Sequence, residues 1–311
     1  MPIAIVGAGM AGLTCASRLA EAGRAVRVFD KGRGPGGRMS ARRVELDGET
    51  LHFDHGAQYF TARDERFRRQ VERWHGEGVI APWPAAKDGA WVGTPAMNAP
   101  IRVMADALGV QFGARVEAIR ADESGWVLEG DGLPDEAFAT VICAVPAEQV
   151  APLFARHHNH LAELAQATVS DPCWTVMAAF DGRVDLNDTI HDAGAIGWAA
   201  RNNSKPGRAE PECWVIQGSP DWSREYLEEE AEAVVRLLLE EFRTQAGGAL
   251  PPLRHAAAHR WRYARSGDAG EGAIWDADKR IGACGDWLKG PRVECAFLSG
   301  WELAEAILKD G

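Results

Sequence analysis

The chain has 311 residues, 46% of them hydrophobic, which is enough for about two domains with sizeable cores. Its net charge of -11 excludes a broad surface for nucleic acid or anionic membranes, because the field of the whole protein repels polyanions. The six cysteines lack CxxC spacing, and no apolar run approaches the roughly 20 residues that span a bilayer. We therefore expect a reduced, cytoplasmic protein with neither a nucleic-acid nor a membrane partner.

The first predicted elements are a strand, a glycine-rich turn, a helix and a second strand. Pro2–Val6 is a short apolar run, and the sequence GAGMAG at positions 7–12 separates it from a helical pattern over Leu13–Ala22. A second apolar run, Ala25–Phe29, is followed directly by Asp30. A GxGxxG turn in this context, with an acid about 20 residues further on, predicts a Rossmann-type dinucleotide site. The alternative is a glycine-rich turn in an unrelated α/β fold.

Each position of this motif has a chemical reason. Gly7 makes the tight turn, Gly9 lets a pyrophosphate approach the backbone, and Gly12 lets the helix pack closely on the strand. The helix N-terminus faces the phosphates, and the Asp30 carboxylate can accept hydrogen bonds from ribose hydroxyls.

The next segment is DKGRGPGGRMSARR, residues 30–43. Three interpretations are open for it: a loose linker, a basic patch for nucleic acid, or a loop that binds a phosphate. The acidic balance of the chain disfavours a nucleic-acid patch. The guanidinium of Arg38 can pair with phosphate oxygens in a bidentate manner, so we expect it to bind a phosphate. Arg42 and Arg43 are interpreted as surface residues.

After residue 94 the predicted elements alternate, and after Pro146 loops and tryptophans become frequent. The predicted helices are Pro95–Leu108, a long acidic helix Arg224–Thr244, and a terminal helix Cys295–Lys309. The predicted strands are Val110–Phe112, Arg115–Ile119, Trp126–Glu129, Thr140–Val145 and Arg280–Ala283.

Several motifs together resemble a known family. They are IVGAGMAG (5–12), FDKG with GGRM (29–32 and 36–39), DHGAQYFT (54–61), ARVEAI (114–119), VICAVP (141–146), HRWRYA (259–264) and ACGD (283–286). Over nearly its whole length the chain resembles the flavin-dependent amine oxidase superfamily, and within it the renalase-like proteins. The resemblance implies an α/β fold: a Rossmann-like FAD-binding domain of the GR2 type with an inserted α+β substrate domain. The FAD-binding domain is expected at 1–54, 94–148 and 276–311, and the substrate domain at 55–93 and 149–275.

The resemblance also implies FAD as the cofactor. The ADP half is expected at the GxGxxG glycines and Asp30, the adenine at the backbone of Val116, and ribityl or phosphate oxygens at Asp286. The terminal helix is expected to aim its N-terminus at the flavin pyrimidine ring, where its partial positive charge favours reduced flavin. No cysteine lies between Cys213 and Cys284, where the monoamine-oxidase type needs one for covalent attachment, so we expect non-covalent FAD. The full set of expected FAD contacts is Gly7, Gly9, Met10, Ala11, Gly12, Asp30, Lys31, Gly37, Arg38, Met39, Gly56, Ala57, Gln58, Val116, Pro146, Gly285, Asp286 and Ala296.

The first hypothesis for the substrate is a misreduced nicotinamide dinucleotide, the 2- or 6-dihydro isomer of NAD(P)H. The resemblance implies hydride transfer to flavin N5 and reoxidation by O2, giving NAD(P)+ and hydrogen peroxide. Loss of hydride from a dihydropyridine leaves an aromatic cation, so positioning carries the rate and no catalytic residue is assigned. Aromatic residues beside cations suit a planar, phosphate-bearing substrate. The predicted substrate contacts are Trp198, Arg201, Asn202, Lys205, Trp261, Arg262 and Tyr263.

Two other functions stay open. An amine oxidase of this fold commonly places paired aromatic rings, often tyrosines, at the flavin face, and this chain has three tyrosines: Tyr59, Tyr226 and Tyr263. A redox sensor without turnover would use the acidic helix to dock a partner, although its helical spacing of apolar residues favours an ordinary surface helix. The histidines of RHHNH (156–160) are interpreted as a polar loop, and no metal is expected. The sequence makes no prediction of oligomeric state.

Overall fold

The computed structural model describes residues 1–208 and 211–310. The strands in this part of the chain, numbered in chain order, are β1 (Ile3–Val6), β2 (Val26–Asp30), β3 (Arg42–Leu46), β4 (Glu49–Phe53), β5 (Ile80–Pro82), β6 (Trp91–Gly93), β7 (Gln111–Phe112), β8 (Ala118–Asp122), β9 (Gly125–Glu129), β10 (Ala137–Phe138), β11 (Thr140–Cys143), β12 (Asp171–Phe180), β13 (Thr189–Ala193), β14 (Ile196–Arg201), β15 (Glu212–Gly218), β16 (Leu253–Arg265), β17 (Ile274–Asp276) and β18 (Ile281–Ala283). The α-helices are α1 (Met10–Glu21), α2 (Glu65–Gly76), α3 (Ala99–Leu108), α4 (Ala147–Phe154), α5 (Asn159–Ala167), α6 (Pro220–Glu225), α7 (Ala231–Gln245) and α8 (Val293–Lys309).

The first of two large sheets has six strands, in the order β17-β18-β11-β1-β2-β7. All of its pairs are parallel except β17 with β18. The short runs IAIV and TVIC are buried along their whole length, as expected for parallel strands covered on both faces. Alternate residues pack to opposite sides: Ile3 and Ile5 join a core with α1 and α8, whereas Ala4 and Val6 join a core with the β8–β10 sheet and α4. The predicted Rossmann-like fold is confirmed.

The second large sheet is antiparallel and has five strands, in the order β13-β14-β15-β12-β16. Along β12, Trp174, Val176 and Ala178 pack against α7, whereas Met177 and Ala179 pack against the β3–β4 hairpin. This is the period-two alternation that a sheet covered on both faces requires. The hairpin covers only part of its face, and the remainder forms one wall of a cleft.

The four predicted helices differ from the observed ones at their starts. Helix α3 begins at Ala99 rather than Pro95, and α8 begins at Val293 rather than Cys295. Helix α1 begins at Met10 rather than Leu13, so the last residues of the glycine motif form its first turn. The predicted acidic helix over Arg224–Thr244 is wrong at its start, because α6 ends at Glu225 and α7 begins only at Ala231.

Side chains hold the intervening backbone out of a helix. The carbonyl of Tyr226 accepts from the Trp174 indole at 2.8 Å, and the carbonyl of Leu227 accepts from Arg260 at 2.8 Å. The Tyr226 carbonyl also accepts from Glu229 N at 3.1 Å, in a single tight turn that ends before α7. The acidic Glu228 then faces Arg260 and Arg262 instead of lying inside a helix.

We propose a domain division close to the predicted one, with three changes. Helix α2 packs through Phe67 and Trp74 on the core that contains α1 and α8. Helices α4 and α5 pack through Phe154 and Leu161 on the other face of the six-stranded sheet, and β17 is an edge strand of that sheet. These elements therefore belong with the flavin-binding ranges 1–54, 94–148 and 276–311, and the substrate part keeps the five-stranded sheet, α6, α7 and the β5–β6 hairpin.

No helix within residues 1–208 and 211–310 has the length and apolar character needed to cross a bilayer.

Candidate active site

A cleft of about 510 Å³ separates the two sheets. Its first wall consists of glycine-rich loops and helix starts, including Gly9, Gly36 and Ala296. Its second wall consists of side chains of the five-stranded sheet, including Trp198 and Trp261. We name these the nucleotide wall and the substrate wall.

The GxGxxG turn has the geometry that its pattern predicts. A Cβ at Gly12 would lie 2.0 Å from the carbonyl oxygen of Gly7, so a larger residue would push α1 off β1. Gly7 has φ +107°, and its Cβ would meet the Ala144 carbonyl oxygen at 2.6 Å. A Cβ at Gly9 would meet no protein atom within 4 Å. Gly7 and Gly12 are therefore required by the fold, whereas Gly9 leaves space for a ligand.

The first turn of α1 faces the cleft with Met10 and Ala11. The first backbone bond of the helix runs from Leu13 N to Gly9 O at 3.0 Å, no side chain caps its start, and its first turn has no acid. The preceding N–H groups and the helix dipole form an anion site of the kind that binds phosphate.

Asp30 lies beside this turn and holds its backbone. One carboxylate oxygen accepts from Ala8 N at 2.7 Å, and the other accepts from Gly32 N at 2.7 Å. Lys31 donates to the side chain of Gln149 at 2.8 Å, and Pro146 caps α4 nearby. None of these three predicted contacts lines the 510 Å³ cleft, so they stay predictions for the adenosine end of the cofactor.

Val116, the predicted adenine contact, lies in an extended segment. Its neighbours Arg115 and Glu117 donate their N–H groups to the carbonyls of Asp131 and Glu129. Because alternate amides of an extended chain point in opposite directions, the N–H and C=O of Val116 face the other side, where an adenine can bind.

A second glycine loop lies opposite the first. Gly37 has φ +52°, and the nearest atom to its Cβ position is the Cα of Gly9 at 3.9 Å. Arg38 donates to Asp286 at 2.6 Å across the cleft. A Cβ at Gly56 would lie 2.1 Å from the Arg38 carbonyl oxygen, which accepts from Ala57 N at 2.8 Å. The GAQ segment thus fixes the backbone of the loop that presents Arg38.

These loops fit a flavin dinucleotide. Gly9 and Gly37 leave the facing backbones bare, and α1 offers free N–H groups to a pyrophosphate. Helix α8 starts at the same cleft with Val293 and Ala296. The acid of its first turn, Glu294, is turned away to accept from the N–H groups of Arg63 and Asp64. The positive end of α8 is therefore directed at the cleft without a competing carboxylate. The cleft is also lined by the predicted contacts Met39, Gln58 and Gly285.

A buried ion cluster lies behind the GAQ segment. Asp54 is 1% exposed and accepts from Lys205 Nζ at 3.2 Å, Arg208 at 2.6 Å and Met97 N at 2.9 Å. Lys205 also donates to Gln58 Oε1 at 3.0 Å. Burial alone would raise the pKa of Asp54, but the two cations outweigh it and lower that pKa. Burial lowers the pKa of Lys205 to about 8.

Five predicted substrate contacts therefore lie outside the cleft. Lys205 is committed to Asp54 and Gln58, and Asn202 bonds to the backbone of Asp54 and His52. Arg201, 2% exposed, pairs with Glu212 and Asp188 beneath the sheet. Arg262 pairs with Glu228 on the outer face, and Tyr263 does not line the cleft. We remove these five from the proposed substrate contacts.

The substrate wall keeps Trp198 and Trp261 and adds Tyr59. A register shift between Ile196 and Trp198 in the β14–β15 ladder turns Trp198 towards the cleft, 5.4 Å from the ring of Tyr59. The Trp198 indole Nε1 is buried and has no hydrogen-bond partner among the described residues. Trp261 donates its indole N–H to the carbonyl of His55 at 2.9 Å and stacks on the His55 ring at 5.2 Å.

The His55 ring supports Trp261 from behind. His259 lies edge-on to both rings, at 5.0 Å from His55 and 4.5 Å from Trp261. Burial, helped by His259 and Arg42, lowers the pKa of His55 to about 4. His55 is therefore neutral at physiological pH, and the support behind Trp261 carries no charge.

Several residues of the cleft were not assigned from the sequence, among them Cys173, Asp192, Gln217, Arg265 and Arg292. Cys173 on β12 lies opposite Trp261 on the neighbouring strand β16. Burial raises the pKa of the Cys173 thiol to about 11, so the thiol is protonated near pH 7. Gln217 donates to the carbonyl of Gly56 at 3.0 Å and ties the two walls together. Alternation along β12 and β16 indicates which residues of each strand share a face. No sequence pattern gives the register between two strands that are so far apart in the chain.

The histidines of residues 156–160 have structural contacts. His157 bonds to the carbonyl of Ile119 at 2.9 Å, and His158 Nδ1 accepts from Leu161 N at the start of α5. His158 also approaches Asp276 at 3.4 Å. No cluster of three or more metal-ligating side chains occurs in the part of the chain that the structure describes.

Two protein-family models match the chain. One, described as an NAD(P)-binding Rossmann-like domain, matches residues 5–74, and the other, described as a flavin containing amine oxidoreductase, matches residues 84–308. The zeta-carotene-forming phytoene desaturase of Myxococcus xanthus is 52% identical over 48 residues, which are 15% of this chain and 9% of that enzyme.

Solved structures with a similar fold cover the chain almost completely. A double mutant of putrescine oxidase, from a redesign of its cofactor binding, has a TM-score of 0.67 at 16% identity, with 99% of both chains covered. Cyclohexylamine oxidase from Brevibacterium oxydans IH-35A has a TM-score of 0.70 at 13% identity, covering 99% of this chain and 98% of that one. At these identities the likeness concerns the fold.

Proposed function

Because the chain belongs to the flavin-containing amine oxidoreductases and is an FAD-dependent oxidoreductase, we propose that it oxidises misreduced dihydronicotinamides. The proposed substrates are the 2- and 6-dihydro isomers of NAD(P)H, and the products are NAD(P)+ and hydrogen peroxide. This assigns the chain to the renalase-like branch of its family. FAD supplies the acceptor for the hydride and passes the two electrons to O2.

The observation that carries the proposal is the neutral aromatic surface opposite the nucleotide wall. Trp198, Trp261 and Tyr59 all line the cleft, where their aromatic rings offer a surface for a planar ring. The thiol of Cys173 and the ring of His55 are both neutral near pH 7, as their pKa values of about 11 and about 4 require. A dihydropyridine needs no base to lose a hydride, so neutral Cys173 and His55 beside the aromatic surface suit this donor.

The unpaired indole N–H of Trp198 adds a second argument. A buried donor without an acceptor costs free energy, and a bound carbonyl removes that cost. The carboxamide of a dihydronicotinamide supplies such an acceptor beside the ring. A protonated alkylamine supplies none. The tasks of the chain are therefore to orient the ring with Trp198 and Trp261 and to exclude water from its face.

The second candidate is a flavin amine oxidase, and Asp192 favours it. Asp192 lines the cleft on β13, next to the Trp198–His191 contact of 4.2 Å. A carboxylate there attracts an ammonium group to the same aromatic surface. The fold shared with putrescine oxidase and cyclohexylamine oxidase agrees equally with this candidate.

Oxygen consumption by the FAD-loaded protein tests the proposal. We expect rapid, peroxide-forming turnover with 2- and 6-dihydroNAD(P) and formation of NAD(P)+ in equal amount. Turnover with amines alone would replace the proposal with the second candidate. Absence of turnover with both classes would leave a flavin-binding redox sensor as the function.

We also propose that the protein acts in the cytoplasm. Four buried cysteines, Cys15, Cys143, Cys284 and Cys295, are free thiols in the structure. Buried free thiols agree with a reducing compartment.

A further inference from the structure

Two arginines line the cleft without an acidic partner. Arg265 lies at the end of β16 on the substrate wall, and Arg292 lies at the start of α8 on the nucleotide wall. Within residues 1–208 and 211–310, no carboxylate lies within 4.0 Å of either guanidinium, although Glu294 and Asp268 act on Arg292 from further away and help raise its pKa. Arg292 contacts the sulfur of Cys295 at 3.3 Å.

The strand register explains why Arg265 is unpaired. Its cross-strand partner is Asp171 on β12, the natural acid for an ion pair at this position. Asp171 instead accepts from Arg224 of α6, which also pairs with Asp221. Because Asp171 pairs with Arg224 of α6, the guanidinium of Arg265 has no ion pair with Asp171 and can bind a ligand in the cleft.

Asp192, another acid of the cleft, lies at the far edge of the same sheet. Asp192 belongs to β13 and Arg265 to β16, and three strands separate them. At about 4.8 Å per strand spacing the two edges are about 19 Å apart. Asp192 and Arg265 therefore lie at opposite edges of the substrate wall, with Trp198 on the strand next to Asp192.

The distance from Trp261 to Arg265 can be estimated from their positions on the same strand, β16. Trp261 and Arg265 are four residues apart and both line the cleft, whereas Arg262 faces the opposite side and pairs with Glu228. Four residues of strand span about 13 Å. A ribose and a diphosphate can bridge this span when the long arginine side chain reaches back along the strand.

We propose that Arg265, with Arg292 on the facing wall, binds the diphosphate of a dinucleotide substrate while the nicotinamide ring lies at the part of the aromatic surface that Trp261 forms. This rests on the proposed function, and it adds a site for the part of the substrate that does not react. A guanidinium binds phosphate oxygens through a fork of N–H donors, and the interaction falls as salt rises. The site selects dinucleotides over nucleosides and simple amines.

Binding of ADP-ribose to the FAD-loaded, oxidised protein tests the site without turnover. ADP-ribose carries the same diphosphate linkage as the dinucleotide, and calorimetry measures its dissociation constant. We expect Arg265→Ala to weaken binding about 10- to 100-fold and Arg265→Lys to weaken it less, because lysine keeps the charge but loses the fork. Arg262→Ala is the matched control, on the same strand but facing away, and is expected to bind like the wild type.

Flavin content and thermal unfolding of each variant establish that it is folded. The site is wrong if the wild type does not bind ADP-ribose, or if Arg265→Ala and Arg262→Ala bind it with equal affinity. Turnover of 2- and 6-dihydroNAD(P) is a separate readout, and its absence contradicts the proposed function. The Arg265-dependent binding of ADP-ribose decides the diphosphate site in either case.

Discussion

The two walls of the cleft are built from different chemistry. The nucleotide wall consists of backbone, and it works because side chains are missing at Gly9, Gly37 and Gly56. The substrate wall consists of side chains, contributed by strands that are far apart in sequence. The first wall can therefore be predicted from short motifs, whereas the second depends on strand register. Substitutions that add or remove side chains should affect the two walls in opposite ways.

The largest effect is expected from alanine at the two glycines of the first turn. Gly12→Ala should destabilise the apoprotein by ~3 kcal/mol or more, because its Cβ lies 2.0 Å from the Gly7 carbonyl oxygen. Gly9→Ala should leave the apoprotein as stable as the wild type but abolish FAD binding, since its Cβ enters only the ligand space. Urea unfolding and flavin absorbance measure the two effects. A stable Gly9→Ala variant that retains normal FAD affinity would show that the cofactor does not lie against this turn.

The second largest effect is expected on FAD affinity when Arg38, the cation of the second glycine loop, is removed. Arg38→Ala should weaken FAD binding about 100-fold, because it removes charged hydrogen bonds and leaves Asp286 without its 2.6 Å partner. Titration of apoprotein with FAD measures the affinity. Arg43→Ala is the control at an exposed position of the same segment. Equal effects of the two substitutions would mean that the phosphates bind elsewhere.

The substrate wall should respond to pH through His55. Its folded pKa of about 4 lies below the ordinary value of 6.5, so the unfolded chain binds more protons between these values. Stability should therefore fall as pH drops from 6.5 to 4, by about 3 kcal/mol for this residue alone.

Chemical denaturation across this pH range checks the His55 prediction. The variant His55→Gln should show a smaller loss of stability towards low pH than the wild type. His160→Gln, at an exposed position, is the control and should behave as the wild type does. Identical pH dependence in wild type and His55→Gln would contradict the buried, neutral state of His55.

The smallest effect concerns one aromatic face. Trp198→Leu should lower kcat/KM about 10-fold, because it removes the stacking surface and the unpaired indole donor but leaves FAD binding intact. Trp301→Leu is a matched control, since Trp301 lies on α8 under Arg18 and away from the cleft. Steady-state kinetics with each proposed substrate class measures both. An unchanged kcat/KM in Trp198→Leu would remove Trp198 from the substrate wall.

The sequence predicted the nucleotide wall because each of its functions resides in a few consecutive residues. Strand, glycine turn and helix follow one another within residues 3–21, and the resemblance to a family located the second loop and the GAQ segment. The start of α1 and the break between α6 and α7 were mispredicted. The break depends on Trp174 and Arg260, which come from distant strands, and no local pattern contains that information.

The substrate wall was only half predictable. Trp198 and Trp261 were identified as an aromatic surface, but the neighbouring cations were assigned with them because they are adjacent in sequence. Arg201 and Lys205 are instead buried on acids that the chain supplies, Glu212 and Asp54. Whether a cation faces a ligand or a carboxylate is decided by which acid the fold places beside it. Asp171, taken by Arg224, shows the same rule from the other side.

Anaerobic mixing of the FAD-loaded protein with possible donors tests the proposed function most directly. The absorbance of the oxidised flavin is followed after addition of 2-dihydroNAD(P), 6-dihydroNAD(P), NADH and a panel of simple amines. We predict stoichiometric bleaching by the 2- or 6-dihydro isomers and slow or no bleaching by the amines. A flavin that stays oxidised with both isomers and is bleached by an amine would contradict the proposal.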